Sequence, residues 1–280
     1  FKIEIARIYV NWLDRGVIKG IAVADRQGNP MILVEKLKID FDLSSLLNRN
    51  TNINYVIAEE GAVNLIVDAN TENLNITEFI ERINELIDDG DTTRSPNPVK
   101  FSIYKIVLKD FHFNYSDKSR ANITDRWDYY HFGFKNINAD ITNFWNRRDT
   151  ISLQIGKGRA IEKQYGTPLH HLSCLFRYTK HDMRFDGLNA NLGETILKDT
   201  RVFTYHSTAD FSDFNDKINI YAHIDSSVIH TDDISIFAPE LASFGQKYRA
   251  KGIFKGYVSG FNLNNMHVRS QSGSILRGSL

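Results

Sequence analysis

The sequence predicts a mainly β protein: a long curved antiparallel sheet rolled into an open apolar groove (a repeating β-groove), with one or two short helices. Three observations predict it. A motif Φ-x-Φ-x-x-Φ-x-Φ, with Φ apolar or aromatic, recurs six times. The 280 residues include 18 Phe and 12 Tyr against 5 Pro, a balance suited to many paired strands. Only one stretch carries a convincing helical period. Alternation with period two gives a strand one apolar face. The extra residue inside the motif turns that face outward unless a bulge absorbs it and bends the strand. Six strands bent alike make one curved sheet with a concave apolar side.

The first motif is Ile3, Ile5, Ile8, Val10, running on to Trp12. Gly16 and Gly20 bracket a short run through Val17 and Ile18, and Asp25–Pro30 supplies a hairpin turn. The second motif is Ile32, Val34, Leu37, Ile39, running on to Phe41; 42–47 reads as one helical turn capped by Asp42. Next come Ile53, Val56, Ala58 and Val63, Leu65, Val67. Their spacing returns fifty residues later as Ile103, Ile106, Leu108 and Phe111, Phe113, Tyr115, a weak internal repeat. Between them, Ile76, Phe79, Ile80, Ile83, Leu86 and Ile87 share one helical face over 76–87, with Asn75 placed to cap it. Residues 88–98 are rich in Asp, Thr, Ser and Pro and read as a loop. This divides the chain into an N-terminal groove segment 1–90, a linker 91–98 and a continuing groove segment 99–280.

The third motif opens with Phe101 and Ile103, and the fourth is Phe132, Phe134, Ile137, Ala139. The fifth is Met183, Phe185, Leu188, Ala190, and the sixth Phe261, Leu263, Met266, Val268. Further strands read at Ile151–Ile155, Leu172–Tyr178, Phe203–Tyr205 and Ile218–Ile224. A short helix through Ile236, Pro239 and Leu241 is expected to cover an end or edge of the sheet. Gly252, Gly256 and Gly260 fall on one strand face, where a neighbour can approach closely.

Equal numbers of cationic and anionic side chains, 34 each, leave no field for a polyanion, so no nucleic-acid partner is expected. No stretch approaches the roughly 20 apolar residues of a membrane span. Cys174 is alone, so no intrachain disulfide forms. The chain opens inside one strand pattern and stops inside another, which reads as part of something longer.

Chemistry-bearing patterns are sparse. Neighbouring strand residues point to opposite faces, so His170 and His171 cannot both ligate a metal beside Cys174. Asp68, Asn70 and Glu72 mimic the start of a calcium loop. That run lacks the glycine at its sixth position and has Phe79 where the bidentate Glu belongs, so it reads as a turn. Asp210, Asp213 and Asp216 read as turn formers. Ile155–Arg159 has glycines but no Gly-Lys-Ser/Thr ending, and no nucleophile elbow is present. Sequons at Asn75, Asn114 and Asn122 matter only in a eukaryotic secretory setting. The expectation is a protein that is not an enzyme, with no cofactor and no metal.

The strand runs Phe1–Val10, Gly20–Asp25 and Leu37–Leu43 resemble the AsmA-like superfamily. So do Ile53–Val67 followed by Glu72–Ile76, Phe101–Asp117, and Asn264–Val268 with Gly273–Gly278. More narrowly, they look like its TamB (translocation and assembly module) family as found in Bacteroidetes-type bacteria. The resemblance covers essentially the whole chain and rests on strand patterns. It implies a periplasmic, membrane-proximal part of a bridge between inner and outer membranes, moving phospholipid along an apolar groove. It further implies an outer-membrane barrel protein as partner, with help to outer-membrane protein assembly. Anchorage in the inner membrane would come through an upstream segment this sequence lacks.

The lipid-binding residues expected on that reading are Ile103, Ile106, Leu108, Phe111 and Phe113 in one repeat. Phe134 and Ile137 follow in the next strand, then Met183, Phe185 and Leu188. Two rivals remain at this point: a closed, dry β-solenoid used as a structural or adhesive scaffold, and a polysaccharide-processing enzyme with converging carboxylates.

Overall fold

The computed structural model describes residues 1–11, 15–41, 50–71, 73–79, 82, 100–147, 150–237, 239–242 and 244–280. The expected helical turn at 42–47, the linker 91–98 and most of the helix 76–87 lie outside them. What is described of that helix is α1, residues 75–79.

Fourteen strands form one sheet in sequence order. They are β1 Lys2–Asn11, β2 Arg15–Ala24, β3 Pro30–Phe41, β4 Asn50–Val67 and β5 Lys100–Asp117. Then follow β6 His131–Arg147, β7 Thr150–Glu162, β8 Pro168–Tyr178, β9 Asp182–Leu192 and β10 Thr195–Thr204. The last four are β11 Asn219–His230, β12 Lys247–Tyr257, β13 Gly260–Ser270 and β14 Ile275–Gly278. The sheet is not closed, since β1 and β14 are its edges. Two further helices are single turns, α2 Phe214–Lys217 and α3 Thr231–Ile234.

Every neighbouring pair is antiparallel except β4 and β5, which run parallel. This departs from the all-antiparallel expectation for a physical reason. Antiparallel strands need only a hairpin, whereas parallel ones need a crossover of a dozen residues or more. Residues 68–99 are long enough to make one. The fifty-residue repeat becomes a register: Asn50 lies beside Lys100, Ile53 beside Ile103 and Val67 beside Asp117. Side chains follow the same offset. Ser102 donates to Asn52 (2.6 Å), Lys109 to Glu59 (3.2 Å) and the Asn114 amide to Asn64 (2.6 Å).

The pairing brings all six motifs to one face. A row of paired residues crosses the sheet from Ile8 on β1 through Leu37, Ala58 and Leu108 to Leu172 and Leu197 on β10. It resumes as Ser227, Ala250, Val268 and Leu276 on β11 to β14. The other face carries Lys36, Lys105, Lys109, Asn189 and their like.

The extra residue of the fourth, fifth and sixth motifs is absorbed as expected. The second residue of the doublet is left-handed at Asn136 (φ 53°), Gly187 (φ 59°) and Asn265 (φ 52°). Glu60 and Asp110 do the same in the repeat. Asn, Asp and Gly tolerate this region best. Register shifts accompany the bulges along the sheet, and each bends its strand.

The sheet also curls along its width. In a flat sheet, β6 and β11 would lie about 24 Å apart. Yet Trp127, in the β5–β6 connection, donates its backbone N–H to Ile236 O at 2.6 Å. Its ring meets Phe237 at 5.4 Å. Ile236 lies six residues past β11, and four of those six are the compact turn α3, so that segment cannot span such a gap. Trp127 also rests on Phe132 and Phe134, at ring distances of 5.7 and 6.4 Å. Those two rings belong to the apolar face, so that face is the inside of the curl.

Candidate apolar groove

All ten expected lining residues sit on the inner face. Pairing joins Ile103 to Phe144, Ile106 to Ile141 and Leu108 to Ala139; Phe111 meets Ile137, and Phe113 meets Phe134. On β9, Met183 and Phe185 pair with Tyr178 and Phe176 of β8. Their accessibility differs. Ile103, Phe111 and Leu188 are buried, at 7–9 % exposure. Ile106, Leu108, Phe113, Phe134, Ile137, Met183 and Phe185 are half-buried. The floor is therefore filled by its own side chains at some rows and open at others.

Two clusters do the filling. Val34, Ala58 and Phe111 form one, with Ile21 and Leu37 against them. Gly61 makes room for it, since a Cβ there would collide with the edge of the Phe111 ring. Cys174, Leu188 and Ala190 form the other, with Phe176 and Phe185. Burial, with the Asp186 carboxylate adding to it, pushes the Cys174 thiol up to about 11. Toward the edges the same face lies open: Ile8 is 57 % exposed, Val10 71 % and Leu276 69 %.

Three acids close one rim. Asp25, Asp117 and Glu162 stand where the inner face meets the turns, each at most 4 % exposed. Asp25 accepts from the backbone N–H groups of Gln27 and Asn29, and Asp117 from Ser119. Glu162 accepts from Gln164 and Tyr165, both at 2.6 Å. They satisfy turn amides at the ends of strands and leave the strand interiors apolar. Asp68 and Asp210 are turn formers as expected. Asp68 accepts from Asn70 and Thr71, and Asp210 from His206 and Ser207.

Within the strands one charged pair breaks the apolar lining. Asp199 and Arg201 share the β10 face with Leu197 and Phe203. Asp199 pairs with Leu188 and Arg201 with Phe185. The Arg201 Nε and Nη2 groups donate to Asp199 Oδ2 at 2.9 and 2.8 Å. The strand text Leu197-Lys-Asp199-Thr-Arg201-Val-Phe203 holds both charges in step with its apolar residues, so alternation alone would have found them. Trp127 was equally absent from the expected site; its signal is a lone Trp in the polar run 118–128.

His171 faces Asn191 on the outer side and meets Ser173 at 3.2 Å, while Cys174 is inside. Asn75 does not cap a helix. It is the first helical residue, and its side chain accepts from Ile66 N–H (3.1 Å) and donates to Asn64 O (3.1 Å), pairing with β4 as a short strand would. The expected helix over Ile236, Pro239 and Leu241 is instead α3 followed by a 3-10 turn at Pro239–Leu241, with Ile236 between. It covers one end of the sheet through Trp127. At Gly256 a neighbour does come close, for a Cβ would lie 2.7 Å from Phe261 Cα.

No protein-family model matches the chain, and no match was found among curated proteins.

Proposed function

We propose that the inner face carries phospholipid acyl chains, and that the chain serves as a periplasmic section of a bridge between inner and outer membranes. One observation carries this reading: six bulged motifs share one face of an open fourteen-stranded sheet. A packed core needs no such continuity, whereas a long apolar track does. Each methylene withdrawn from water contributes about 0.8 kcal/mol, so a sixteen-carbon tail in water costs on the order of 10 kcal/mol. Half-buried rows at Ile106, Phe134, Met183 and Phe185 offset much of that, while the head group stays in water. The apolar lining recurs from strand to strand, which lets a tail shift between half-buried rows. The groove itself supplies no direction; a gradient or a separate energy source does.

The resemblance to the AsmA-like superfamily supports the same reading and adds its partners. These are the inner membrane and an outer-membrane barrel protein whose clients the bridge helps to assemble. The closed-scaffold alternative needs every row of the inner face filled, whereas Ile106, Phe134, Met183 and Phe185 are only half-buried.

The test is photo-crosslinking in membranes. Probes at Ile106 and Phe185 should capture phospholipid, and probes at Lys105 and Asn189 on the outer face should not. Ile106→Asp should abolish capture at Phe185 while circular dichroism stays unchanged. Equal capture from both faces, or undiminished capture in a folded Ile106→Asp variant, would overturn the proposal.

A further inference from the structure

Arg201 stands out on the inner face. Among the described residues, it and Asp199 are the only charged side chains in the strand interiors there; the three other acids sit at the rim and are consumed by turn amides. A buried ion pair on an apolar face contributes little to stability, because desolvation cancels most of the attraction. Its geometry is informative. Asp199 is wholly buried and engages Arg201 side-on, through Nε and Nη2. A guanidinium has five N–H donors in a planar fork. The side-on pairing leaves the Nη1–Nη2 edge without a partner among the described residues, and the Arg201 side chain is 33 % exposed. Asp199 Oδ1 is buried with no hydrogen-bond partner, so this carboxylate serves Arg201 alone among the described residues. A fixed cation with a free fork faces the groove, flanked by Phe185 and Ala222 on the neighbouring strands.

We propose that Arg201 is an anchoring site for a phosphate group whose attached apolar chain lies on the adjoining rows, with Asp199 as its positioning residue. Phosphate oxygens match the free edge bidentately. The inference rests on the acyl-chain reading above and amends it at one point, where the head group leaves bulk water to pair with the partly exposed Arg201.

Calorimetric titration with two amphiphiles of one tail length, dodecyl phosphate and dodecyl maltoside, tests it. The wild-type chain should bind the phosphate form about tenfold more tightly. Arg201→Lys should lose most of that preference, since a point charge cannot replace the fork. Arg201→Gln leaves Asp199 unpaired and can fail to fold, so the double variant Asp199→Asn/Arg201→Gln is the safer probe. It should bind both amphiphiles equally, at the wild-type affinity for the maltoside. Equal binding of both by the wild type, unchanged in the double variant, overturns the anchor and leaves the groove standing. Failure of both to bind overturns the groove and the anchor with it. Inorganic phosphate alone should compete only weakly. Competition as strong as that of dodecyl phosphate would overturn the head-group assignment in favour of a free anion.

Discussion

Glu60 and Asp110 lie abreast in two parallel strands, fifty residues apart in sequence, and both are left-handed, at φ 53° and 52°. Each absorbs the residue that would otherwise turn its strand over. Ahead of the bulge the inner face is Val56 and Ala58 beside Ile106 and Leu108; past it, Gly61 and Val63 beside Phe111 and Phe113. Glu60→Gly should therefore stabilise the fold by about 1 kcal/mol, the usual penalty for a side chain in this region. Deleting Asp110 should do the reverse, throwing Phe111, Phe113 and Tyr115 onto the polar face. Denaturant titration should show a loss of 5 kcal/mol or more, at roughly 2 kcal/mol for each aromatic exposed.

Glu59 sets an acid limit on stability. Hydrogen bonds from Lys36 and Lys109, with the charge of Lys38 nearby, hold its carboxyl down at about 2. A carboxyl depressed in the folded state stabilises above its unfolded value and loses that contribution as pH falls. Stability should thus decline between about pH 4.5 and 2. Melting curves of Glu59→Gln across that window should be flatter. The wild-type advantage at pH 7 should be only about 1 kcal/mol, because solvent screens this site on the outer face. A variant whose acid limb matches the wild type would show that other carboxylates set it.

Trp127 ties the β5–β6 connection to the segment after β11. Trp127→Ala removes its contacts with Phe132, Phe134 and Phe237. The expected cost is about 3 kcal/mol, with a matching drop in melting temperature. Hydrogen exchange at the Ile236 segment should speed up in the variant while exchange in β8 stays slow.

Cys174 should resist alkylation. Its raised pKa lowers the thiolate fraction at neutral pH about a hundredfold relative to an ordinary thiol. Iodoacetamide labelling followed by mass spectrometry should be slow in the native protein and rapid in guanidinium. Fast native labelling would mean that the second cluster opens readily.

Asn75→Asp should keep the acceptor for Ile66 N–H and lose the donor to Asn64 O. A loss of about 1–3 kcal/mol is expected at this buried site.

Much of this architecture was legible because alternation and its doublets are direct images of a bent strand. Ile8, Leu37, Leu108, Ala139 and Ala190 could be placed on one face from their spacing. Direction could not: side-chain period is the same in parallel and antiparallel pairs, so the Ile53/Ile103 repeat was visible and its parallel pairing was not. Strands such as β7 and β11 lack the motif because Gly158 and Ser227 occupy lining rows. Asn75 suited a helix cap locally, but its amide had a partner in β4 that no local pattern reveals. Of the lining, spacing gave the face. It could not show that Ile103, Phe111 and Leu188 are covered by their neighbours while Ile106 is not, since that depends on how tightly the sheet curls.

Because the creases sit in individual strands, at Asn136, Gly187 and Asn265 among others, the bend of the sheet is fixed locally and not by the number of strands. Bend and length are then separable quantities. A hairpin added with its crease in step would lengthen the sheet and leave its bend untouched, whereas one altered crease would flatten it at a single point.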